Sequence, residues 1–262
     1  MLTLLQGVED DIEVKQILAK ADLAASKIDL NQDQNSEQIG VVNAVDQSWQ
    51  FSTAQLQRKI ASMPANRRHF FYTWSGNKGQ EFTGSASGVD RHSYFANSFL
   101  IGYKPFDTNT VWQPLATLAL RKRYTLDNKL YGPQYSDIWQ NSRQAYAYTR
   151  GDCEDHAIVL ADWLIAMGYD ARVVVGKYKT GGHAWVILFE QGKEYILEAT
   201  SKGRTRSIND FIYARLATDY HPSYQFNRDD FWVNTGSTFT TLYRNEKWQK
   251  RSTFKRSSQL QL

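Results

Sequence analysis

Residues 150–200 carry a pattern that few folds can accommodate. Gly151-Asp152-Cys153-Glu154-Asp155-His156 heads an apolar run in which Ala157, Leu160 and Leu164 follow Cys153 at helix spacing. Ile158, Ala161 and Ile165 widen that apolar face, so 153–167 predicts a helix. Gly168 suits its C-terminal stop. Strand-like runs follow at 171–178, 183–190 and 194–200, separated by Gly181-Gly182 and Gln191-Gly192. A helix followed by antiparallel strands predicts an α+β fold, rather than a doubly wound parallel sheet.

The chemistry in this stretch begins with Cys153, the only cysteine in 262 residues, which therefore has no intramolecular disulfide partner. A thiol must ionise to attack, and a helix N-terminus favours the thiolate because its unpaired N–H groups stabilise negative charge. Gly151 just before it allows a tight entry. An inert lone cysteine is a small buried hydrophobe, but polar residues and glycine flank this one. Downstream stand His183 and Glu198. The order thiol, histidine, carboxylate is that of a Cys-His-acid nucleophile site and points to acyl transfer.

Hairpin geometry decides whether these groups can meet. If Gln191-Gly192 is a two-residue turn, Glu190 pairs with Lys193, His183 faces Thr200 and Glu198 faces Trp185. His183, Trp185, Glu198 and Thr200 then share one face, and His183 and Glu198 are diagonal neighbours about 7–8 Å apart. A loop one residue longer would send Glu198 to the opposite face. In the two-residue register Glu198 can orient the imidazole while its other nitrogen serves Cys153.

Asp152, Glu154 and Asp155 crowd the thiol, and their charge opposes a thiolate unless it is turned away or neutralised. From the residues alone two readings stay open: helix-capping acids that complement the dipole, and ligands of a hard cation such as Ca²⁺. His156 reads as a surface or supporting residue, since one cysteine and scattered histidines make no zinc signature. No phosphate-binding glycine loop is present, and no cofactor-binding residues are expected.

Outside this stretch the sequence constrains less. Residues 11–28 read as an amphipathic helix with Ile12, Ile17, Leu18, Ala21 and Leu23 near one face, and 31–48 as a polar loop or linker. Thr53 is placed to cap a helix bearing Leu56, Ile60 and Met63. A strand is expected around Phe70–Trp74 with a turn at 75–79, and helices at 111–123 and 137–148. The division expected is an N-terminal helix and polar linker over 1–50, then a catalytic domain over 51–262 with a basic C-terminal tail. Net charge is +4, and Arg244, Lys247, Lys250, Arg251, Lys255 and Arg256 carry the late excess. That run reads as a solvated face, not a nucleic-acid arm. Tyr224, Phe226, Phe231 and Trp232 read as core before groove lining. No apolar run is long enough to span a bilayer. Met1-Leu2-Thr3-Leu4-Leu5-Gln6 lacks a basic n-region and is not an intact signal peptide.

Over residues 110–200 the chain resembles the bacterial transglutaminase-like cysteine proteinases of the papain-like/transglutaminase superfamily. The residues that carry the resemblance are Trp139-Gln140, the Gly151-Asp152-Cys153-Glu154-Asp155 motif, His183 and the acid at 198. Two departures are plain: the family reads Trp-Gln-Thr-Pro where this chain has Trp139-Gln140-Asn141-Ser142, and Asp where it has Glu198. The resemblance implies a papain-like core with the catalytic helix packed on an antiparallel sheet, and a Cys153-His183-Glu198 triad. It also implies an oxyanion hole, for which the Gln140 side chain and the Cys153 backbone N–H are the candidates. It implies Ca²⁺ on Asp152, Glu154 and Asp155, with no other cofactor. The expected activity is that of a cysteine peptidase acting through an acyl-enzyme. A transglutaminase or glutamine deamidase would use the same site, and a non-catalytic binding module is the remaining alternative. Partners implied are a protein substrate, such as a surface adhesin, and a regulating membrane receptor, with no nucleic acid. The setting implied is periplasmic or secreted, with a cytoplasmic one left open.

Overall fold

Ile17, Ala21 and Ala24 recur at helical spacing, and burying them fixes one side of the first helix, α1 (Leu2–Ser26). A computed structural model of the chain describes residues 2–30, 36–45, 49–76, 79–203 and 205–259. The side chain of Ile12 lies outside this description, and Leu23 is exposed, so it leaves the expected apolar face. Within the stretch expected to be linker, 31–35 and 46–48 lie outside the described residues. Gly40–Ala44 is strand β1, with Val42 buried, and Gln50–Ser52 is β2. The helix cap falls one residue earlier than expected. Ser52 and Gln55 bond each other's backbone at the start of α2 (Thr53–Ala61), while Thr53 bonds the backbone of Gly40.

A small sheet follows, formed by β3 (Tyr72–Ser75), β4 (Glu81–Gly88) and β5 (Ser93–Phe95). Pro114 sits in the first turn of α3 (Gln113–Arg121), where its missing N–H leaves no bond unmade. Then come β6 (Arg123–Tyr124) and the single turn α4 (Asp127–Leu130). The helix expected over 137–148 is shorter. Ile138–Trp139 is β7, which pairs parallel to β4, and Asn141 caps α5 (Ser142–Ala147) with Gln144. Arg150–Gly151 is β8, which pairs parallel to β6 and leads into α6 (Cys153–Ala166). Gly168 takes φ +91 beyond the helix end.

The main sheet holds nine strands. After α6 come β9 (Asp170–Tyr178), β10 (Gly181–Glu190), β11 (Lys193–Leu197) and β12 (Ile212–Tyr213). They are followed by β13 (Tyr220–Phe226), β14 (Asp230–Asn234) and β15 (Trp248–Arg256). The order is β12-β11-β10-β9-β13-β14-β15-β1-β2, and every pair is antiparallel. The run expected to be a basic tail is therefore in part an interior strand. Trp248, Ser252 and Phe254 point inward from β15 while Lys250 and Lys255 stay in water. Phe226 and Phe231 are fully buried, in keeping with a core role.

Helix α6 packs on β9 and β10, and its residues from Glu154 to Leu164 are all buried. This is the α+β arrangement expected: a helix headed by Cys153, lying on an antiparallel sheet. Among the described residues, no helix is long and apolar enough to cross a membrane.

Candidate active site

The β10–β11 hairpin turns in two residues, Gln191 (φ 51) and Gly192 (φ 73), with Glu190 opposite Lys193. Both central residues are left-handed, as a tight hairpin with right-twisted strands requires. The ladder runs to Val186 opposite Leu197 and stops there, so β11 ends three residues short of Thr200. Just past the ladder the chain bends, and His183 Nε2 meets Glu198 Oε2 at 2.8 Å. The other oxygen of Glu198 accepts from Thr200 N at 3.1 Å and Thr200 Oγ1 at 2.5 Å.

Cys153 Sγ donates to Glu154 Oε2 at 3.3 Å, and with Nε2 on Glu198 the His183 nitrogen left to serve the thiol is Nδ1. Burial alone would lower the His183 pKa, but its interactions with Cys153 and Glu198 carry it up to about 9. Burial likewise works against the Glu198 carboxylate, yet His183 and Thr200 hold its pKa below the usual carboxylate range. The imidazole thus stands between the Cys153 sulfur and the Glu198 carboxylate. Cys153 itself is half-buried at the head of α6.

Gln140 is fully buried, and both hydrogens of its amide are engaged, by Tyr131 Oη at 3.0 Å and the Arg150 carbonyl at 3.0 Å. Service as an oxyanion donor would require it to release one of them. Its backbone N–H holds Asp155 Oδ1 at 2.7 Å instead. Tyr124, on β6, brings a phenol into the electrostatic field of Cys153. Burial first, then the negative field of Cys153, Asp152 and Glu154, raises the Tyr124 pKa and keeps that phenol protonated.

The acids beside the thiol do more than cap. Asp152 occupies the N-cap position of α6, but its side chain makes no capping bond. Asp152, Glu154 and Asp155 are buried and are joined by two acids from earlier in the chain, Asp127 on α4 and Asp137. Ligand atoms of Asp127, Asp152 and Asp155 lie within 4.8 Å of one another, as do those of Asp127, Asp137 and Glu154. Burial raises every one of them, and repulsion between the acids comes next at Asp127, Glu154 and Asp155: Asp137 goes to about 6, Asp127 to about 8, Glu154 and Asp155 well above the ordinary range, and Asp152 upward too. Lys122 approaches from below, fully buried, and burial lowers its pKa to about 8 even with Asp155 opposing.

Fit to a hard cation can be tested on the unused oxygens. Asp127 Oδ1, Asp152 Oδ1 and Asp155 Oδ2 are buried without a hydrogen-bond partner. Three converging carboxylate oxygens, each otherwise uncompensated, are the donor chemistry that Ca²⁺ takes. These residues fit the ion.

The structure brings His183 to Glu198, with Cys153 at the head of the helix beside them. Asp127, Asp137 and Tyr124 carry no sequence mark of their place here, and of the two expectations for His156, surface or supporting, the surface one does not hold. His156 is fully buried, with Nδ1 2.6 Å from the Asp152 carbonyl, and burial pushes its pKa down to about 3.

A cysteine-headed helix packs on an antiparallel sheet, and a histidine and an acid from that sheet's β10–β11 hairpin meet beside it. Residues 137–256 match the family described as the CEP76 peptidase-like domain. The match spans Gln140, Cys153, His183 and Glu198. Over 69 residues the chain is 32% identical to human Protein CC2D2B, covering 26% of this chain and 5% of that protein's length. Among solved structures it is similar to Legionella pneumophila LapG, at 19% identity and a TM-score of 0.38 over 71% of this chain and 90% of that one. The calcium-bound LapG structure gives 18% identity and 0.39 over 76% and 96%.

Proposed function

We propose that this chain is a cysteine peptidase in which Cys153, His183 and Glu198 act as a triad. The observation that carries the reading is the 2.8 Å contact of Glu198 with His183 Nε2, which leaves Nδ1 to serve the thiol. The Cys153 thiol gives its proton to His183 Nδ1 as its sulfur attacks the carbonyl carbon of a peptide bond, and the carbonyl π electrons move to oxygen. The backbone N–H of Cys153 is the donor best placed at the helix head to hold that oxyanion. One such donor contributes about 2.7–4 kcal/mol to the transition state. His183 gives its proton to the departing amine nitrogen as the C–N bond breaks, leaving a thioester. It then takes a proton from water, which attacks the thioester and releases the acid fragment and the free thiol. Glu198 holds the imidazole in place through both halves.

Asp127, Asp152 and Asp155 would hold Ca²⁺, with Glu154 and Asp137 at hand. A bound cation would offset the buried negative charge that otherwise opposes a thiolate at Cys153. The similarity to transglutaminase-like proteinases supports a protein substrate of the surface-adhesin kind, a membrane receptor as regulator, and a periplasmic or secreted setting.

Incubation of the protein with a denatured test protein, calcium and a labelled amine separates the enzyme readings. Backbone fragments that are absent with Cys153→Ala support the peptidase. Incorporation of the amine, or release of ammonia without cleavage, would assign the same triad to a transglutaminase or deamidase. No Cys153-dependent product of any kind would leave a binding module.

A further inference from the structure

Resting on the proposed triad, we infer that Tyr220 is a positioning residue for Glu198, and that with Thr200 it fixes the carboxylate that orients His183. Tyr220 Oη donates to Glu198 Oε2 at 3.1 Å, and this oxygen also accepts from His183 Nε2. Thr200 holds Oε1 with both its backbone N–H and its hydroxyl. The carboxylate is thus pinned at both oxygens by groups from three separate segments. Glutamate has one more rotatable bond than aspartate, so ordering its side chain costs more rotamer entropy. Donors already in place meet part of that cost before substrate arrives.

Tyr220 can act this way because its ring has no freedom of its own. It is 7% exposed, with its ring centroid 5.1 Å from Trp185 at an edge-on 67° and 4.8 Å from Tyr178. His183 lies beside the same group, its ring 6.1 Å from Trp185 and 5.8 Å from Tyr178. Burial and the Glu198 charge raise the Tyr220 pKa, so the hydroxyl remains a donor at any working pH.

The approach of β13 that delivers Tyr220 is itself built into the sheet. On β9, Gly176 pairs with His183 on one side and Pro222 on the other. A Cβ at Gly176 would stand 2.3 Å from the His221 carbonyl and 3.0 Å from the Trp185 ring. Only a glycine there lets β13 come this close. Sequence reading had no means of reaching Tyr220, which lies beyond the residues that carry the family resemblance.

Because Cys153 is the sole cysteine, its alkylation by iodoacetamide reports the thiol–imidazole pair without any known substrate. The rate is measured at pH 7 in millimolar calcium, so that the acidic cluster stays in one state. Tyr220→Phe keeps the ring and removes one hydrogen bond to a charged group, and it should slow alkylation about tenfold. In a Glu198→Ala background the same change should alter the rate by less than about twofold, since the hydroxyl then has nothing to position. Equal slowing in both backgrounds marks a merely structural tyrosine and overturns the inference, as does an unchanged rate in Tyr220→Phe. If Tyr220→Phe fails to fold, Thr200→Val carries the same cycle through the other oxygen, with the same pattern required. Failure of the triad is read separately. Cleavage of the test protein by Cys153→Ala would remove the triad and this inference together, whereas an unchanged Tyr220→Phe rate removes the inference alone.

Discussion

The Oδ2 of Asp155 lies 2.4 Å from the point where a side chain at Gly151 would place its first carbon. The glycine two residues before Cys153 is therefore there to admit a carboxylate. Gly151→Ala must push Asp155 aside or shift the start of α6, and overpacking of this kind costs about 1–3 kcal/mol. A melting temperature several degrees below wild type is expected, with a weakened response to calcium. An unchanged melting temperature would show that the carboxylate moves away freely.

Asp127 is the ligand whose loss tests the cation site without touching the residues next to the thiol. Calcium at about a hundred times its dissociation constant should stabilise the wild type by about 2.7 kcal/mol. Asp127→Asn should abolish most of that gain, and magnesium should substitute poorly because it demands a tighter octahedral shell. Titration calorimetry showing no heat from millimolar calcium, with a chelator leaving activity intact, would end the proposal.

The His183–Glu198 pair should leave a signature in stability against pH. The folded His183 pKa, about 9, lies above its ordinary 6.5, so its contribution is complete below about 6.5 and is lost as pH rises through 9. Glu198 is depressed below its ordinary 4.5, so its contribution is present above that value and fades on further acidification. The difference in melting temperature between wild type and Glu198→Gln should be widest between pH 4.5 and 6.5 and shrink toward pH 9. A difference that stays flat from about pH 5 to pH 10 would mean that no ion pair forms.

What the sequence could reveal was decided by where the signal resides. Helix α6 and strands β9 to β11 carry complete periodic patterns, and Gln191-Gly192 is a turn that sets its own register, so the meeting of His183 with Glu198 followed from local rules. Asp127 carries no such mark. It is the first residue of a one-turn helix, where an acid usually serves the dipole in solvent, and only the tertiary fold brings it to Asp152 and Asp155. The strand at Ile138–Trp139 is too short to show a period, and it was absorbed into the expected helix after it. In β15 the exposed Lys250 and Lys255, with the arginines beside them in sequence, mask the inward Trp248, Ser252 and Phe254, so a strand reads as a tail.

The place of β15 between β14 and β1 has a consequence for how the molecule comes into being. The first strand of the sheet finds its partner in the last, with almost the whole chain intervening. During synthesis β1 and β2 must wait until residues 248–256 have emerged, and contacts of such long sequence separation form slowly. Until then the sheet is open at the β14 edge, while the strands beside His183 and Glu198 can already pair with each other and with β9 through short connections.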